Sequence, residues 1–246
     1  MIVDTEFYWD PRPLDGVVYD LPTTWEMEQA AGVDHIVLMT QPFLRPLNAE
    51  MYQAWAQYPH PGRFTLCCTL NPQFGAETVQ ELERCATQWG MKALKLMPTL
   101  HGYSLLSGNV KAVLDKAREL GMVINIHSGS HQAHPLQIGV LARRYPELLF
   151  VMDHMGYREF ISDAMVAAQE CPNIFLSTTL VSAGEPLSVK FVVKEVGPER
   201  VVFGSNAPGT FIDMCLEAIR RQGMGREAEA LIFGGNAARI YGLAGA

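Results

Sequence analysis

The sequence lacks the features that would direct a protein to nucleic acid or into a membrane. Its 246 residues include 19 Lys and Arg against 26 Asp and Glu, which gives a formal net charge of −7 at pH 7. No basic stripe offsets this charge, so a general affinity for nucleic acid or for an anionic membrane surface is not expected. The longest apolar runs, such as residues 64–70, fall well short of the roughly 18 to 20 residues that cross a bilayer.

Signals for secretion and for disulfide formation are missing too. The N-terminus has no basic segment followed by an apolar one, so no signal peptide is expected. The cysteines are odd in number, stand in apolar segments and show no metal-ligand spacing. They are Cys67, Cys68, Cys85, Cys171 and Cys215. We expect them to be small core residues of a cytoplasmic protein.

No linker, low-complexity run or charge block divides the chain, so residues 1–246 are predicted to form a single domain. Eight apolar, strand-like runs recur along it, and their starts are separated by roughly 25 to 35 residues, enough for one strand, one helix and two loops. The runs are Met1–Phe7, His35–Gln41, Phe64–Leu70, Lys92–Met97, Val123–His127, Leu149–His154, Ile174–Thr179 and Arg200–Ser205. Eight such units predict an α/β fold, a closed (β/α)8 TIM barrel.

The segments between the runs carry helical patterns. Thr23, with Glu26 three residues later, predicts a capping box. Apolar residues at helical spacing predict three helices that each pack one face against the sheet. They are Val79, Leu82, Ala86 and Trp89; Val110, Val113, Leu114 and Ala117; and Ile212, Cys215, Leu216 and Ile219. Residues 191–193 fit a helix or a strand equally well.

Two strand-like runs end on a histidine, and the chain is organised around them. The runs Met122–His127 and Leu149–His154 flank a helical pattern, and a strand–helix–strand unit of this length is a right-handed crossover between parallel strands. His127 and His154 should therefore emerge side by side at the carboxyl ends of neighbouring strands, where α/β folds place their chemistry. A lone strand-end histidine is more often a core residue. A second one at the matching position favours a site.

Further polar side chains follow the ends of the other predicted strands. Alternation puts Asp4, Glu6 and Tyr8 on one side of the first strand. The others are Lys95 on the fourth strand with His101 and Tyr103 after it, Ser177–Thr179 on the seventh, and Asn206 at the end of the eighth.

Six segments, in this order, resemble those of a known family. They are the opening aspartate strand, Gly90–Leu96, Ile126–Gly129, Asp153–Gly156, Phe203–Pro208 and Gly235–Arg239. The chain resembles the amidohydrolase-related proteins of the aminocarboxymuconate-semialdehyde decarboxylase type, a metal-dependent branch of the amidohydrolase superfamily. The resemblance covers essentially the whole chain and implies a TIM barrel of the metal-dependent-hydrolase type.

The resemblance also implies a site, from which this chain departs at three positions. The family has two metal-binding histidines in a His-x-His pattern on the first strand, where Glu6 and Tyr8 stand here. Asn206 stands in place of the aspartate that binds metal and handles the proton of the attacking water. His127 remains as a ligand histidine, and His154 as the acid/base.

A metal set of Glu6, His127 and Asn206 would be weak. A neutral carboxamide oxygen is a poor donor to zinc, and a tyrosine such as Tyr8 binds well only as its phenolate. A carboxamide also cannot accept a proton near neutral pH. We therefore predict a divalent metal, zinc or manganese, at well under one equivalent, and no other cofactor. The alternative is that Glu6 supplies the missing charge and completes a stoichiometric His/His/Glu set.

The catalytic residues are predicted to be His154, His127, Asn206 and Lys95. Lys95 is expected to form a salt bridge with Glu6 or to contact an oxyanion, in preference to a carbamylated, metal-bridging lysine of the kind found in binuclear relatives. Ser177–Thr179 are expected to be strand-end hydrogen-bonding residues, because no nucleophile motif surrounds them.

The substrate is expected to contact Tyr8, His101, Tyr103 and His131. His131 forms an H-x-x-H pattern with His134 in the loop after the fifth strand. On a loop this pattern is usually solvated surface, and the alternative is a grip on an anionic substrate.

These patterns together predict an enzyme, a hydrolase or carbon–carbon lyase, that hydrolyses or decarboxylates a small carboxylated or lactone-like molecule. The alternative hypothesis is a non-catalytic protein that keeps the barrel and its pocket to bind a small ligand or a protein partner. No nucleic-acid or membrane partner is expected. A homodimer is common among relatives, and the sequence leaves the oligomeric state open.

Overall fold

The structure, a computed structural model, describes residues 1–14, 16–180 and 188–243. The strands of these residues form one nine-stranded sheet in the order β2-β1-β3-β4-β5-β6-β7-β8-β9. They are β1 Val3–Leu14, β2 Val17–Tyr19, β3 His35–Thr40, β4 Phe64–Leu70, β5 Ala93–Leu96, β6 Val123–Ile126, β7 Phe150–Met152, β8 Ile174–Ser177 and β9 Val201–Val202. All eight predicted strands are confirmed. The sequence analysis missed β2, a short antiparallel partner of the second half of β1.

Helices follow the strands, as a (β/α)8 fold requires. In the described ranges they are α1 Leu21–Ala30, α2 Asn48–Gln57, α3 Ala76–Thr87, α4 Pro98–His101, α5 Gly108–Glu119, α6 Pro135–Arg144, α7 Tyr157–Glu170, α8 Ser188–Val196, α9 Ile212–Arg220, α10 Arg226–Ala230 and α11 Asn236–Tyr241. None of them is both long enough and apolar enough to cross a membrane.

Hydrogen bonds between β1 and the segment after β9 close the barrel. The backbone N–H of Thr5 donates to the carbonyl of Phe203 at 3.1 Å, and that of Tyr8 donates to Ala207 at 2.8 Å. The backbone N–H of Asn206 donates in return to the carbonyl of Glu6 at 3.0 Å. The predicted (β/α)8 barrel is therefore confirmed, with the first and last strands side by side.

Two apolar layers hold the barrel together. One fills its interior with strand residues such as Val37 and Val151, and the other lies between the sheet and the helices. Tyr241 of α11 belongs to the interior layer, and its hydroxyl donates to Oδ1 of Asn125 at 3.1 Å. The five cysteines are buried and free, as predicted.

A bulge in β1 overturns one prediction about the strand's faces. Between Asp4 and Phe7, β1 advances three residues while its partner β3 advances two, so one residue is extra and the alternation is interrupted. Glu6 and Tyr8 face the barrel interior, whereas Asp4 faces α1 and lies beside Glu28. Burial and the neighbouring Asp4 hold the pKa of Glu28 well above its ordinary value. The prediction that Asp4 shares a face with Glu6 and Tyr8 is wrong.

The helix predictions are confirmed except at the ends of two helices. The buried faces of α5 and α9 consist of the predicted residues, and residues 191–193 are helical. Helix α1 starts at Leu21 rather than after Thr23, because the side chain of Asp20 accepts from the backbone N–H of Thr23. The capping box is therefore wrong. Helix α3 ends before Trp89, whose ring instead stacks on Tyr52 at 5.3 Å.

Barrel closure should depend on the carboxylate of Asp4. It accepts from the backbone N–H groups of Glu6 at 3.0 Å and Ser205 at 2.9 Å. We expect Asp4→Ala to lower the free energy of unfolding by about 2 to 4 kcal/mol, because two buried donors lose their acceptor. Asp4→Asn keeps one acceptor oxygen and should cost less. Urea denaturation measures both, with the exposed Asp213→Ala as a control near 0.5 kcal/mol or below, roughly the surface value. Equal losses for Asp4→Ala and the control would contradict this role.

Candidate active site

Two histidines meet at the carboxyl ends of β6 and β7. Nε2 of His154 lies 2.9 Å from Nδ1 of His127, and the ring centroids are 4.6 Å apart. His154 is only 1 % exposed, whereas His127 is half-buried. The side-by-side placement predicted from the two apolar runs is therefore present, and the imidazoles are directly hydrogen-bonded.

The partners of His154 fix the direction of this hydrogen bond. The carbonyl oxygen of Thr179 can only accept, so Nδ1 of His154 donates to it at 3.1 Å. A neutral His154 then accepts at Nε2, and Nδ1 of His127 donates to it. His127 therefore carries its proton on Nδ1 and has a lone pair on Nε2. No residue of the described ranges hydrogen-bonds this Nε2, so its lone pair is available to accept a proton from a bound molecule.

Burial keeps both imidazoles neutral. It lowers the pKa of His154 to about 4, because the neighbouring Glu6 only partly opposes it. Burial, with repulsion from the protonated form of His154 and from Lys95, lowers the pKa of His127 to about 3. At neutral pH the pair is uncharged.

An ammonium–carboxylate cluster lies next to the histidines inside the barrel. Nζ of Lys95, from β5, lies 2.9 Å from Oε1 of Glu6 and also donates to Oδ2 of Asp153. None of the three residues is exposed to solvent. The structure thus has the salt bridge between Lys95 and Glu6 that the sequence analysis preferred, with a second carboxylate that it had not included.

The two carboxylates of this cluster differ in character. Burial opposes the ionisation of Glu6, but the charge of Lys95, joined by that of His154 once this ring is protonated, outweighs burial and lowers the pKa of Glu6 to about 2. Burial and the adjacent Glu6 raise the pKa of Asp153 well above its ordinary value. The charges of Asp153 and Glu6 outweigh burial at Lys95 and hold its pKa above the ordinary value. Glu6 and Lys95 are therefore the ionised pair.

Hydroxyl groups complete the shell around Glu6. The hydroxyl of Tyr8 donates to Oε1 at 2.7 Å, and that of Thr179 donates to Oε2 at 2.8 Å. Ser177 lies 2.7 Å from the Thr179 hydroxyl. Both oxygens of Glu6 are engaged, and Ser177 and Thr179 act as the hydrogen-bonding residues the sequence analysis expected.

A strained turn presents His154. Residues His154, Met155, Gly156 and Tyr157 all have positive φ, at 61°, 48°, 78° and 51°. For residues other than glycine such angles cost on the order of 1 kcal/mol or more each, so the surroundings must hold them. The hydroxyl of Ser128 does so, accepting from the backbone N–H of Gly156 at 3.0 Å and donating to the carbonyl of Asp153. The Tyr157 ring stacks on His154 at 4.4 Å.

Sequence reasoning missed Asp153 and Tyr157 as parts of the site. β7 ends at Met152, and the turn that follows lets the adjacent side chains of Asp153 and His154 both face the cluster. Strand alternation would have sent one of them away. The signal that could have found Asp153 is its position next to the histidine within a family-like segment.

Four predicted site residues have other contacts. His101 binds the loop after β3, with Nε2 at 3.0 Å from the carbonyl of Phe43. Tyr103 packs beside it at 6.3 Å. His131 is exposed and lies edge-on to Phe160, 5.9 Å away. The half-buried Asn206 contributes its backbone to barrel closure, and no bond from its carboxamide to the cluster is found in the described part of the chain. Of the predicted substrate contacts, only Tyr8 belongs to the cluster.

By type and proximity, Glu6, Asp153 and His154 could hold a divalent metal. One donor atom of each lies within 4.8 Å of the other two. This set differs from the predicted Glu6, His127 and Asn206. The set does not suit a metal as it stands, because Glu6, Asp153 and His154 are already hydrogen-bonded to Lys95, Thr179 and His127. Among the described residues, the buried oxygen of the cluster left without a partner is Oδ1 of Asp153.

Among the described residues, the site reaches solvent at His127 rather than at the ammonium–carboxylate cluster. The side chain of His127 is half-buried, whereas those of Glu6, Lys95 and Asp153 are fully buried. A surface groove of about 660 Å³ beside α2 and α3 shares no residue with the cluster. The residues that line this groove are therefore not part of the candidate active site.

The chain belongs to the amidohydrolase family, whose model matches residues 13–243. A search of curated proteins found no match. The family match supports the predicted hydrolase or lyase and agrees with the resemblance drawn from the six segments.

Solved structures share the fold along the whole chain. An uncharacterised TIM-barrel protein of Bordetella bronchiseptica is 16% identical, covers 100% of this chain and 99% of its own, and has a TM-score of 0.81. A 5-carboxyvanillate decarboxylase of Novosphingobium aromaticivorans, with bound manganese and 3-methoxy-4-hydroxy-5-nitrobenzoic acid, is 18% identical, with 99% and 97% covered and a TM-score of 0.75. A Pseudomonas putida protein, provisionally assigned as a 2-pyrone-4,6-dicarboxylic acid hydrolase, is 16% identical, with 99% and 98% covered and a TM-score of 0.76. At these identities the likeness establishes the fold.

The neutral histidine pair predicts an acid-sensitive fold. Unfolded histidines take up a proton near pH 6.5, whereas His127 and His154 do so only near 3 and 4 in the folded protein. Stability should therefore fall as pH decreases from about 6.5 toward 4. The free energy of unfolding should fall less steeply with decreasing pH in the double variant His127→Gln/His154→Gln. In NMR titrations the two ring resonances, assigned with the single variants, should keep their neutral-form shifts down to about pH 5. Titration of either ring between pH 6 and 7 would contradict this.

The turn at His154 also needs a glycine at position 129. There φ is +95°, and a Cβ would overlap Cδ2 of the Tyr157 ring. We expect Gly129→Ala to lower the free energy of unfolding by about 3 kcal/mol or more, through strain and overpacking together. Gly121→Ala, at φ +63° with nothing within 4 Å, should cost only about 1 kcal/mol. Similar losses in the two variants, measured by denaturant unfolding, would show that Tyr157 can move aside freely.

Proposed function

We propose that the protein hydrolyses or decarboxylates a small carboxylated or lactone-like molecule, with the His127–His154 pair as its acid/base. The observation that carries this proposal is the series of hydrogen bonds from Thr179 through His154 to His127, whose Nε2 is bound by none of the described residues. It stands at the carboxyl ends of the strands in an amidohydrolase barrel, where TIM barrels place their reactions.

The direction of these hydrogen bonds gives the two histidines different roles. His127 is the residue that meets the substrate, because none of the described residues binds its Nε2 and its side chain is half-buried. His154 is a positioning residue: both its ring nitrogens are hydrogen-bonded, and it holds His127 in the tautomer with a basic Nε2. The acid/base role predicted for His154 is thus exerted through His127.

This arrangement suits both reactions. In hydrolysis, Nε2 of His127 takes a proton from water as the water oxygen attacks the carbonyl carbon, and returns it to the leaving oxygen. In decarboxylation, carbon dioxide leaves, the electrons of the broken carbon–carbon bond remain on the substrate carbon, and His127, after taking up a proton from solvent, donates that proton to the carbon. The neutral resting pair favours the first use.

The relatives support a carboxylated substrate. The names of the decarboxylase and of the hydrolase both denote small molecules with carboxyl groups. In this chain the positive charge of Lys95 lies near His127, and the ionised Glu6 balances it. A small anion at the edge of the cluster would therefore meet no unpaired carboxylate.

Turnover by matched variants tests the acid/base pair. Against a panel of small lactones and aromatic carboxylates, His127→Ala should lose about 10²- to 10⁴-fold in kcat/KM, the usual worth of a general acid/base. His154→Ala should lose about 10-fold or more, because His127 loses its fixed tautomer. The exposed His60→Ala is the control and should keep full activity. Absence of turnover by wild type across the panel would favour a binding protein instead.

We further propose that the wild-type protein holds well under one equivalent of zinc or manganese. The engaged donors of Glu6, Asp153 and His154 support this, since metal entry would break several buried hydrogen bonds. Elemental analysis after dialysis against a mild chelator should find little of either metal. Near-stoichiometric retention would mean that the hydrogen bonds yield to a true metal site.

A further inference from the structure

The site already contains a cation of its own. The side chain of Lys95 is fully buried, and its Nζ contacts Oε1 of Glu6 at 2.9 Å and Oδ2 of Asp153. Glu6 and Asp153 are two of the three residues whose donor atoms are grouped closely enough for a metal ion. The ammonium therefore lies against the same carboxylates that a divalent metal would use.

The other donor atoms of the group are committed to the protein. Oε2 of Glu6 accepts from Thr179, Oε1 accepts from Tyr8 as well as Lys95, and both nitrogens of His154 are hydrogen-bonded. Oδ1 of Asp153 is left without a partner in the described residues. One free oxygen is not a metal site, because zinc usually takes about three or four protein ligands.

Charge leads to the same result. Lys95 already provides one positive charge between the carboxyl groups of Glu6 and Asp153, in a volume closed to solvent. A divalent ion bound to the same oxygens would stand within a few Å of the ammonium, where little water or salt screens the repulsion.

We propose that Lys95 is the resident cation of this barrel, occupying the carboxylate pair in place of a divalent metal and excluding the metal while it is there. The inference deepens the proposed function by naming the source of positive charge at that site. Its relevance to catalysis rests on the proposed function, but its test does not, because metal binding is measured without turnover.

Removal of the ammonium should create metal binding. Lys95→Ala would leave the carboxylates of Glu6 and Asp153 facing a space the size of the lost side chain. We would titrate MnCl₂ or ZnCl₂ alone into wild type, Lys95→Ala and the exposed Lys92→Ala by calorimetry, and follow thermal unfolding with and without metal. Wild type and Lys92→Ala should show no saturable site. Lys95→Ala should bind one ion saturably, at least about a hundredfold more tightly than any residual binding by wild type, and its Tm should rise with metal.

Two further variants keep the proposal falsifiable. Lys95→Gln retains bulk and a hydrogen-bond donor, and should also gain binding if Lys95→Ala does not fold. Lys95→Ala/Asp153→Asn should lose the gained site. Saturable micromolar binding by wild type, or no gain in a folded Lys95 variant, would overturn the proposal. If neither variant folds with or without metal, the wild-type titration decides alone.

The failures are distinguishable from one another. Metal binding by wild type would overturn the role of Lys95 and leave the histidine pair as the acid/base. Absence of turnover would overturn the proposed reaction and leave the role of Lys95 as the cation intact.

Discussion

The ion pair between Lys95 and Glu6, with Asp153 beside it, is the interaction on which the rest of the site depends. An isolated ammonium inside a barrel would be expelled or neutralised, because burial without a partner is very costly. Here β1, β5 and the end of β7 each supply one charged or chargeable group to the same point. A register shift of one residue in any of these strands would turn its group outward and leave the others unpaired. The site therefore exists only when these three strands are paired in the observed register.

The histidine pair depends on this cluster and on a strained turn. Four consecutive positive φ angles carry the chain from Asp153, which faces Lys95, to Tyr157, which covers His154. The turn is what allows two adjacent side chains to face the same site. Strain of this kind persists only where neighbouring groups over-determine the backbone, and the Ser128 hydroxyl bonds both ends of the turn.

The sequence was sufficient for the fold and for part of the site. Strand positions and helix faces follow from apolar periodicity, which is a local property, and all eight barrel strands lie where periodicity predicts them. The errors fall where a single residue overrides periodicity. The bulge before Phe7 places the side chain of Asp4 on the opposite face of β1 from the predicted one. The N-cap of α1 is Asp20, three residues before the predicted Thr23. The position of Asp153 depends on the turn after β7, and the contacts of His101 depend on a distant loop. No local pattern encodes either of them.

A cation fixed on the chain differs from a bound metal in what it can do. It is present once per molecule and cannot dissociate, but an ammonium has only donor hydrogens and no open coordination position for water or substrate. Because Lys95 is closed off behind Glu6 and Asp153, it can act on a substrate only through space. Direct proton transfer must then pass through the group at the edge of the cluster. That group is His127, whose Nε2 has no partner in the described part of the chain and is oriented by hydrogen bonds that end at a backbone carbonyl.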